Sequence, residues 1–121
     1  MVDLHPVFAK LLESIAPVEL SFPTAKVKYP VITITELGNR VNAVYGGEER
    51  LSEHDWQIDI WDNGKTPQKA EKMAVQVNRV LTKKGMRRYF GQLMRDPGGL
   101  QRYCMRVRFT LDELTGYVYR S

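Results

Sequence analysis

The sequence has little cysteine, little histidine and no long apolar run. Of its 121 residues one is cysteine, Cys104, and two are histidine, His5 and His54. A lone thiol excludes an intrachain disulfide, a secreted disulfide scaffold and a zinc ribbon. Neither histidine stands at metal-ligand spacing from a second ligand type, so no metal or other cofactor is expected. No stretch nears the roughly 20 apolar residues of a membrane-spanning helix. The opening MVDLHPVFAK carries an early acid and does not read as a signal peptide. These absences predict a soluble cytoplasmic protein without membrane contact. Repeats, low-complexity stretches and linkers are also missing, so residues 1–121 are expected to form one domain. A chain of this length buries about two-thirds of its unfolded surface, enough for a core without staples.

What is abundant is charge, and it is unevenly placed. The net charge is +4, yet residues 1–62 hold 5 Lys/Arg against 10 Asp/Glu, and residues 63–121 hold 13 against 4. Between residues 79 and 108 lie nine basic side chains and one acid, Asp96. Such polarity has three outlets: the acidic half folds onto the basic half, the chain binds an acidic partner, or copies meet head to tail.

Periodicity supplies the elements. Val7, Phe8, Leu11, Leu12 and Ile15 recur at three and four, predicting a helix over 4–16 with Asp3 as cap and Pro17 as stop. Residues 17–30, with three prolines, read as a crossing loop. Val31 to Thr35 are nearly all β-branched and predict a strand. A long connection follows over 38–50, punctuated by Gly38, Asn39, Gly46 and Gly47. In the next strand His54, Trp56, Ile58 and Ile60 alternate with Asp55, Gln57, Asp59 and Trp61, so one face is largely apolar and the other acidic. Thr66-Pro67 starts a second helix with Thr66 as N-cap. Ala70, Met73, Ala74, Val77, Val80 and Leu81 form its core stripe, and Gly85 ends it. Two strands, 86–95 and 100–111, flank the turn Asp96-Pro97-Gly98-Gly99, with a bulge expected near Gly91. The tail 114–121 is expected to form an arm or a short extra strand carrying Tyr117 and Tyr119. The predicted fold is α+β, a two-layer sandwich in the order α-β-β-α-β-β: a four-stranded, mainly antiparallel sheet with two helices on one face. Asp55, Asp59, Arg102, Arg106 and Arg108 fall on the other face.

No set of residues assembles into catalytic chemistry, and a non-enzymatic role is expected. Asp55 and Asp59, about 13 Å apart by strand rise, are too distant for a retaining glycosidase pair. Cys104 and His54 point to opposite faces by parity, which argues against a thiol–imidazole couple. The glycine pairs lack the lysine and helix of a phosphate-binding loop. Two binding roles remain. The basic hairpin could contact phosphates as a nucleic-acid-binding module, although no exposed aromatics interleave with its arginines. Alternatively, an acidic strand (Glu53, Asp55, Asp59) and a basic one (Arg102, Arg106, Arg108) could meet between neighbouring copies and close a ring. The 38–50 connection, with Asn39, Arg40, Asn42, Tyr45, Glu48 and Glu49, would then suit contacts that order on assembly.

Taken in order, the short N-terminal helix, YPVITITELG (29–38), WQIDIWD (56–62), TPQKAEKMAVQVNRVL (66–81) and GLQRYCMRVRFTLDE (99–113) form a recognisable set. It resembles the small tail-completion proteins of long-tailed bacteriophages, also called tail terminators or head-to-tail joining proteins. The resemblance spans residues 4 to about 120 and implies a structural virion protein of a phage or prophage. Such a protein forms a ring, typically a hexamer, on the end of the tail tube and stops its polymerisation. It binds the tail tube protein and a head-completion protein, and DNA passes through its lumen without sequence-specific contacts. The implied location is the virion tail, reached by assembly in the host cytoplasm. The family carries no catalytic residues. Glu53, Asp55, Asp59, Arg102, Arg106 and Arg108 are accordingly expected at subunit contacts, with the 38–50 connection and the tyrosine-bearing tail meeting other virion proteins.

Overall fold

The computed structural model describes residues 3–20, 28–45, 48–96 and 98–120. Helix α1 (His5–Leu12) opens the chain. Leu4, and not the expected Asp3, holds the N-cap position; the Asp3 carboxylate accepts the His5 amide at 3.1 Å, and Pro6 occupies the first turn, where its missing N–H costs nothing. Leu4, Phe8, Leu12 and Ala16 repeat at four-residue steps and are buried. The helix is shorter than the expected 4–16. After Leu12 the chain tightens into a turn in which the amides of Ile15 and Ala16 both return to the Leu12 carbonyl, at 2.9 and 3.2 Å.

Strand β1 (Val18–Glu19) lies inside the stretch expected to be loop. It pairs parallel with the start of β2 (Val31–Tyr45), Val18 opposite Ile32. The rest of that stretch, 21–27, lies outside the described residues. Strand β2 then pairs antiparallel with β3 (Glu48–Asp62), each 15 residues long. The expected 38–50 connection is therefore mostly strand, and Asn39, Arg40, Tyr45, Glu48 and Glu49 sit in its ladder, with Asn42 at a register shift. Gly46 and Gly47 lie outside the described residues. The physical reason for the difference is twofold. Three register shifts, at Glu36/Gly38, Val41/Ala43 and Ala43/Val44, reset the face of successive residues and erase the period of two. Beyond Leu51 β3 also loses its β5 partner, so that among the described residues the end of the hairpin is a two-stranded ribbon.

Helix α2 (Gln68–Lys84) buries Ala70, Met73, Ala74, Val77 and Leu81, as their spacing predicts. Pro67 holds the N-cap position and no side chain caps the helix, so Thr66 does not play the expected part. Gly85 ends the helix at φ +100°, with its N–H bonded to the Thr82 carbonyl at 3.0 Å and the Met86 N–H to Leu81 at 2.9 Å. Only glycine adopts that conformation without strain, and a Cβ there would also lie 3.1 Å from the Val118 carbonyl.

Strands β4 (Arg87–Arg95) and β5 (Gln101–Asp112) form the C-terminal hairpin, and β6 (Val118–Arg120) folds back on β5. Strand β4 pairs with β5 as far as Arg87 opposite Arg108; β6 then takes over that side at Phe109 to Leu111. The tail is thus a docked strand, with Val118 buried, and not a free arm. The sheet is six-stranded and mixed, ordered β1-β2-β3-β5-β4 with β6 beside β5, where a four-stranded sheet was expected. The chain order becomes α-β-β-β-α-β-β-β. The two extra strands, of two and three residues, are too short to carry a periodic signal. Both helices pack into one core with Ile32, Ile34, Trp56, Ile58, Ile60, Met105, Val107, Phe109 and Leu111. The opposite sheet face carries charged and polar side chains together with aromatic rings.

Candidate functional site

Register decides what that second face holds. In the β3–β5 ladder Asp55 stands opposite Arg108, Gln57 opposite Arg106, Asp59 opposite Cys104 and Trp61 opposite Arg102. Residues paired across an antiparallel ladder share a face, so the acidic and basic strands meet inside one chain. Arg102 Nε donates to Asp59 Oδ1 at 2.9 Å, Arg106 Nε to Gln57 Oε1 at 3.1 Å, and Arg108 to Asp55 Oδ2 at 3.2 Å, with Glu53 at 3.8 Å. Gln57 in turn donates to Asp59 at 2.9 Å, linking neighbouring pairs. Arg40 on β2 reaches Glu53 at 3.3 Å and extends the network to a third strand.

Aromatic rings complete the layer. The bulge falls between Arg88 and Phe90, earlier than the expected Gly91, and it changes which residues face this side. Tyr89 and Phe90, adjacent in sequence, both turn to the charged face. The Tyr89 hydroxyl donates to Asp55 Oδ1. The Arg108 guanidinium lies 4.5 Å from the Tyr89 ring, Arg106 5.1 Å from Phe90 and Arg102 4.8 Å from Trp61. Each arginine therefore both stacks on a ring and bonds to a β3 side chain. Alternation along β3 places Gln57 and Trp61 on this face, though neither stands among the candidate contact residues; Tyr89 and Phe90 are brought there by a bulge that alternation does not reveal.

Electrostatics follow from this packing. Burial of Arg102 favours its neutral form, but the Asp59 bond and charge outweigh that and raise its pKa. The Asp55 bond raises that of Arg108. Burial first, then the Asp59 charge, push the Cys104 thiol up to about 11. Burial and the bond to Asp55 raise the Tyr89 phenol. A face whose guanidinium groups are held by Asp55, Gln57 and Asp59 is a poor match to a phosphate backbone, and the nucleic-acid reading loses its main support.

A second cluster lies at the hairpin end of the helix-covered face. Ser52 Oγ donates to Glu113 Oε1 at 2.7 Å and lies 2.8 Å from His54 Nε2. A hydroxyl has one proton; with it on Glu113, His54 Nε2 must carry the hydrogen and donate to Ser52. The imidazole stacks on Phe109 at 5.3 Å, and Nδ1 is buried with no hydrogen-bond partner. Burial lowers the His54 pKa. This is not a nucleophile and its base: Ser52 is 0% exposed, and the imidazole donates to the hydroxyl instead of accepting from it. Cys104, on the opposite face, is not part of it. Among the described residues no group of His, Cys, Asp and Glu is arranged to hold a metal ion.

Other named residues fall at the periphery. Tyr117 and Tyr119 are exposed, with ring centroids 4.6 Å apart. Tyr119 lines a groove of about 580 Å³ with Arg50, Leu51, Thr110 and Asp112, where Arg50 meets Asp112 at 3.1 Å. Arg40 is exposed on the hairpin. No helix among the described residues is long and apolar enough to cross a membrane.

The fold is a small α+β domain with a mixed sheet, a helix-covered face and an internally paired charged face. The chain belongs to the tail-completion family: the family model described as "Tail completion protein gp17" matches residues 8–112. It is a bacteriophage tail-completion protein, a component of the virion tail, and the family role is structural. Among solved structures it is similar to "Structure of bacteriophage SPP1 gp17 protein", at 19% identity over 93% of this chain and 91% of that one, with a TM-score of 0.50. At that identity the likeness is one of fold. No curated protein matches the sequence.

Proposed function

We propose that the protein assembles as a ring, a hexamer, on the end of the tail tube. There it stops tube polymerisation and presents the surface to which the head docks. Its partners on this reading are copies of itself, the tail tube protein and a head-completion protein. DNA passes through the lumen without sequence-specific contacts, and assembly takes place in the host cytoplasm. The role is non-enzymatic.

Family membership over residues 8–112 is the observation that carries the proposal. The sheet gives it a physical basis. Among the described residues no strand pairs with the outer edge of β4, or with β2 beyond Thr33. Two unlike open edges on one molecule favour heterologous contacts, which close into rings when the rotation permits. Because Glu53, Asp55, Asp59, Arg102, Arg106 and Arg108 pair within the chain, the contacts between copies are assigned elsewhere. Tails assembled with and without the protein provide the test, read by electron microscopy for tube length and by native mass spectrometry for the ring. The expected result is uniform tubes capped by a ring when it is present and overlong, uncapped tubes when it is absent. Tubes of unchanged length in both preparations refute the proposal.

A further inference from the structure

The ring reading leaves open which surfaces meet, and two unlike patches outside the charged face answer it. The first is the β2–β3 hairpin. Its Ala43–Tyr45 and Glu48–Arg50 ends pair only with each other among the described residues, past the last β3–β5 pair at Leu51 and Asp112. It presents Val41 and Val44 to solvent at 47% and 57% exposure. The second is a groove of about 340 Å³ between α2 and the C-terminal hairpin, lined by Ala74, Val75, Tyr103 and Met105 and rimmed by Glu71, Asn78 and Arg88, where Arg88 Nε donates to Asn78 Oδ1 at 3.2 Å. Leu93, paired with Tyr103, extends its apolar floor to the β4 edge. Val75 and Leu93 are 58% and 37% exposed.

The two patches are complementary in charge and direction. Strand β4 carries Arg87, Arg88 and Arg95 and no acid; residues 36–50 carry Glu36, Glu48 and Glu49 against Arg40 and Arg50. Successive antiparallel pairings make β2 and β5 run one way, and β3 and β4 the other. A neighbour rotated about an axis near the strand direction therefore brings its β2 antiparallel to this β4. Resting on the ring reading, we infer that the β2–β3 hairpin of one copy docks along β4 of the next, seating Val41 and Val44 against Val75, Leu93 and Tyr103. An apolar projection meeting an unlike apolar groove is a heterologous contact and propagates around a ring.

Val41→Asp damages the hairpin and Leu93→Asp the groove. Both positions are solvent-exposed, and an unchanged thermal melt of each variant shows that the fold survives. Under conditions in which the wild-type protein forms rings, each variant alone is expected to lose the ring species about tenfold or more. An equimolar mixture of the two is expected to give dimers and nothing larger. In that mixture one intact hairpin can enter one intact groove, and the chain of contacts stops there. Either variant forming rings alone, or a mixture without dimers, overturns the inference while the ring itself stands. A wild-type protein that forms no ring even on tails removes the ring reading, and this contact with it.

Discussion

Removing the Asp59 carboxylate tests whether the charged face belongs to the single chain. In Asp59→Ala, Arg102 loses a 2.9 Å carboxylate bond and Gln57 a 2.9 Å acceptor. Asp59 is 2% exposed, so the deletion acts inside the fold, whereas the Arg102 side chain is 17% exposed and recovers some solvation. Breaking a buried pair costs about 3–5 kcal/mol; partial rehydration of Arg102 brings the expected loss to about 2–4 kcal/mol. Arg102→Met should cost a similar amount, since it strands a buried carboxylate and removes the cation over Trp61. In the double variant neither charge is left behind, so its cost falls below the sum of the singles by about 1.5–3 kcal/mol. Urea unfolding followed by tryptophan fluorescence reads all three variants, Trp61 being next to the site. The measurement is repeated at two protein concentrations about a hundredfold apart, because a contact between copies obeys mass action and one within the chain does not. A single-variant loss below about 0.5 kcal/mol, or one that disappears on dilution, would refute the pairing described above.

Two further predictions concern buried titratable groups. The Cys104 thiol is raised from 9.0 to about 11, so the unfolded chain releases its proton first and stability falls as pH rises from 9 to 11. The lost stability is roughly 2–3 kcal/mol and should vanish in Cys104→Ala. A melt series at alkaline pH checks it, and equal slopes in both proteins would disprove it. His54 is depressed below 6.5, so its contribution is complete above 6.5 and is lost as pH falls, when the unfolded chain takes up the proton that the buried Nδ1 resists. His54→Gln should flatten the stability profile between pH 7 and 5 compared with the wild-type protein; an unchanged slope would show that other groups set it.

Periodic positions were legible. The stripe Ala70, Met73, Ala74, Val77 and Leu81 is buried as its spacing requires, and β3 and β5 alternate as their residues do, because each has one face on the helix layer and one on the charged layer. The charged face was legible as a list of residues but not as a set of pairs. Asp55 with Arg108 and Asp59 with Arg102 depend on the β3–β5 register, which links residues 53 and 43 positions apart. Tyr89 and Phe90 were hidden because a bulge breaks the parity from which facing is read. The hairpin does not show as strand in the sequence because its register shifts break the period of two.

Amino-acid sequence alone determined the class of fold, the two helices, the main strands and the division of the chain into an acidic and a basic half, since each is a local pattern imposed by burial on one side. The ordered set of segments was also enough to point to the tail-completion family. Only the tertiary structure decided where the charge goes. A net charge separated along the chain suits pairing within a subunit as well as between subunits, and sequence contains no term that chooses between them. The register of β3 on β5 pairs Asp55 with Arg108 and brings Asp59 to Arg102 within the chain.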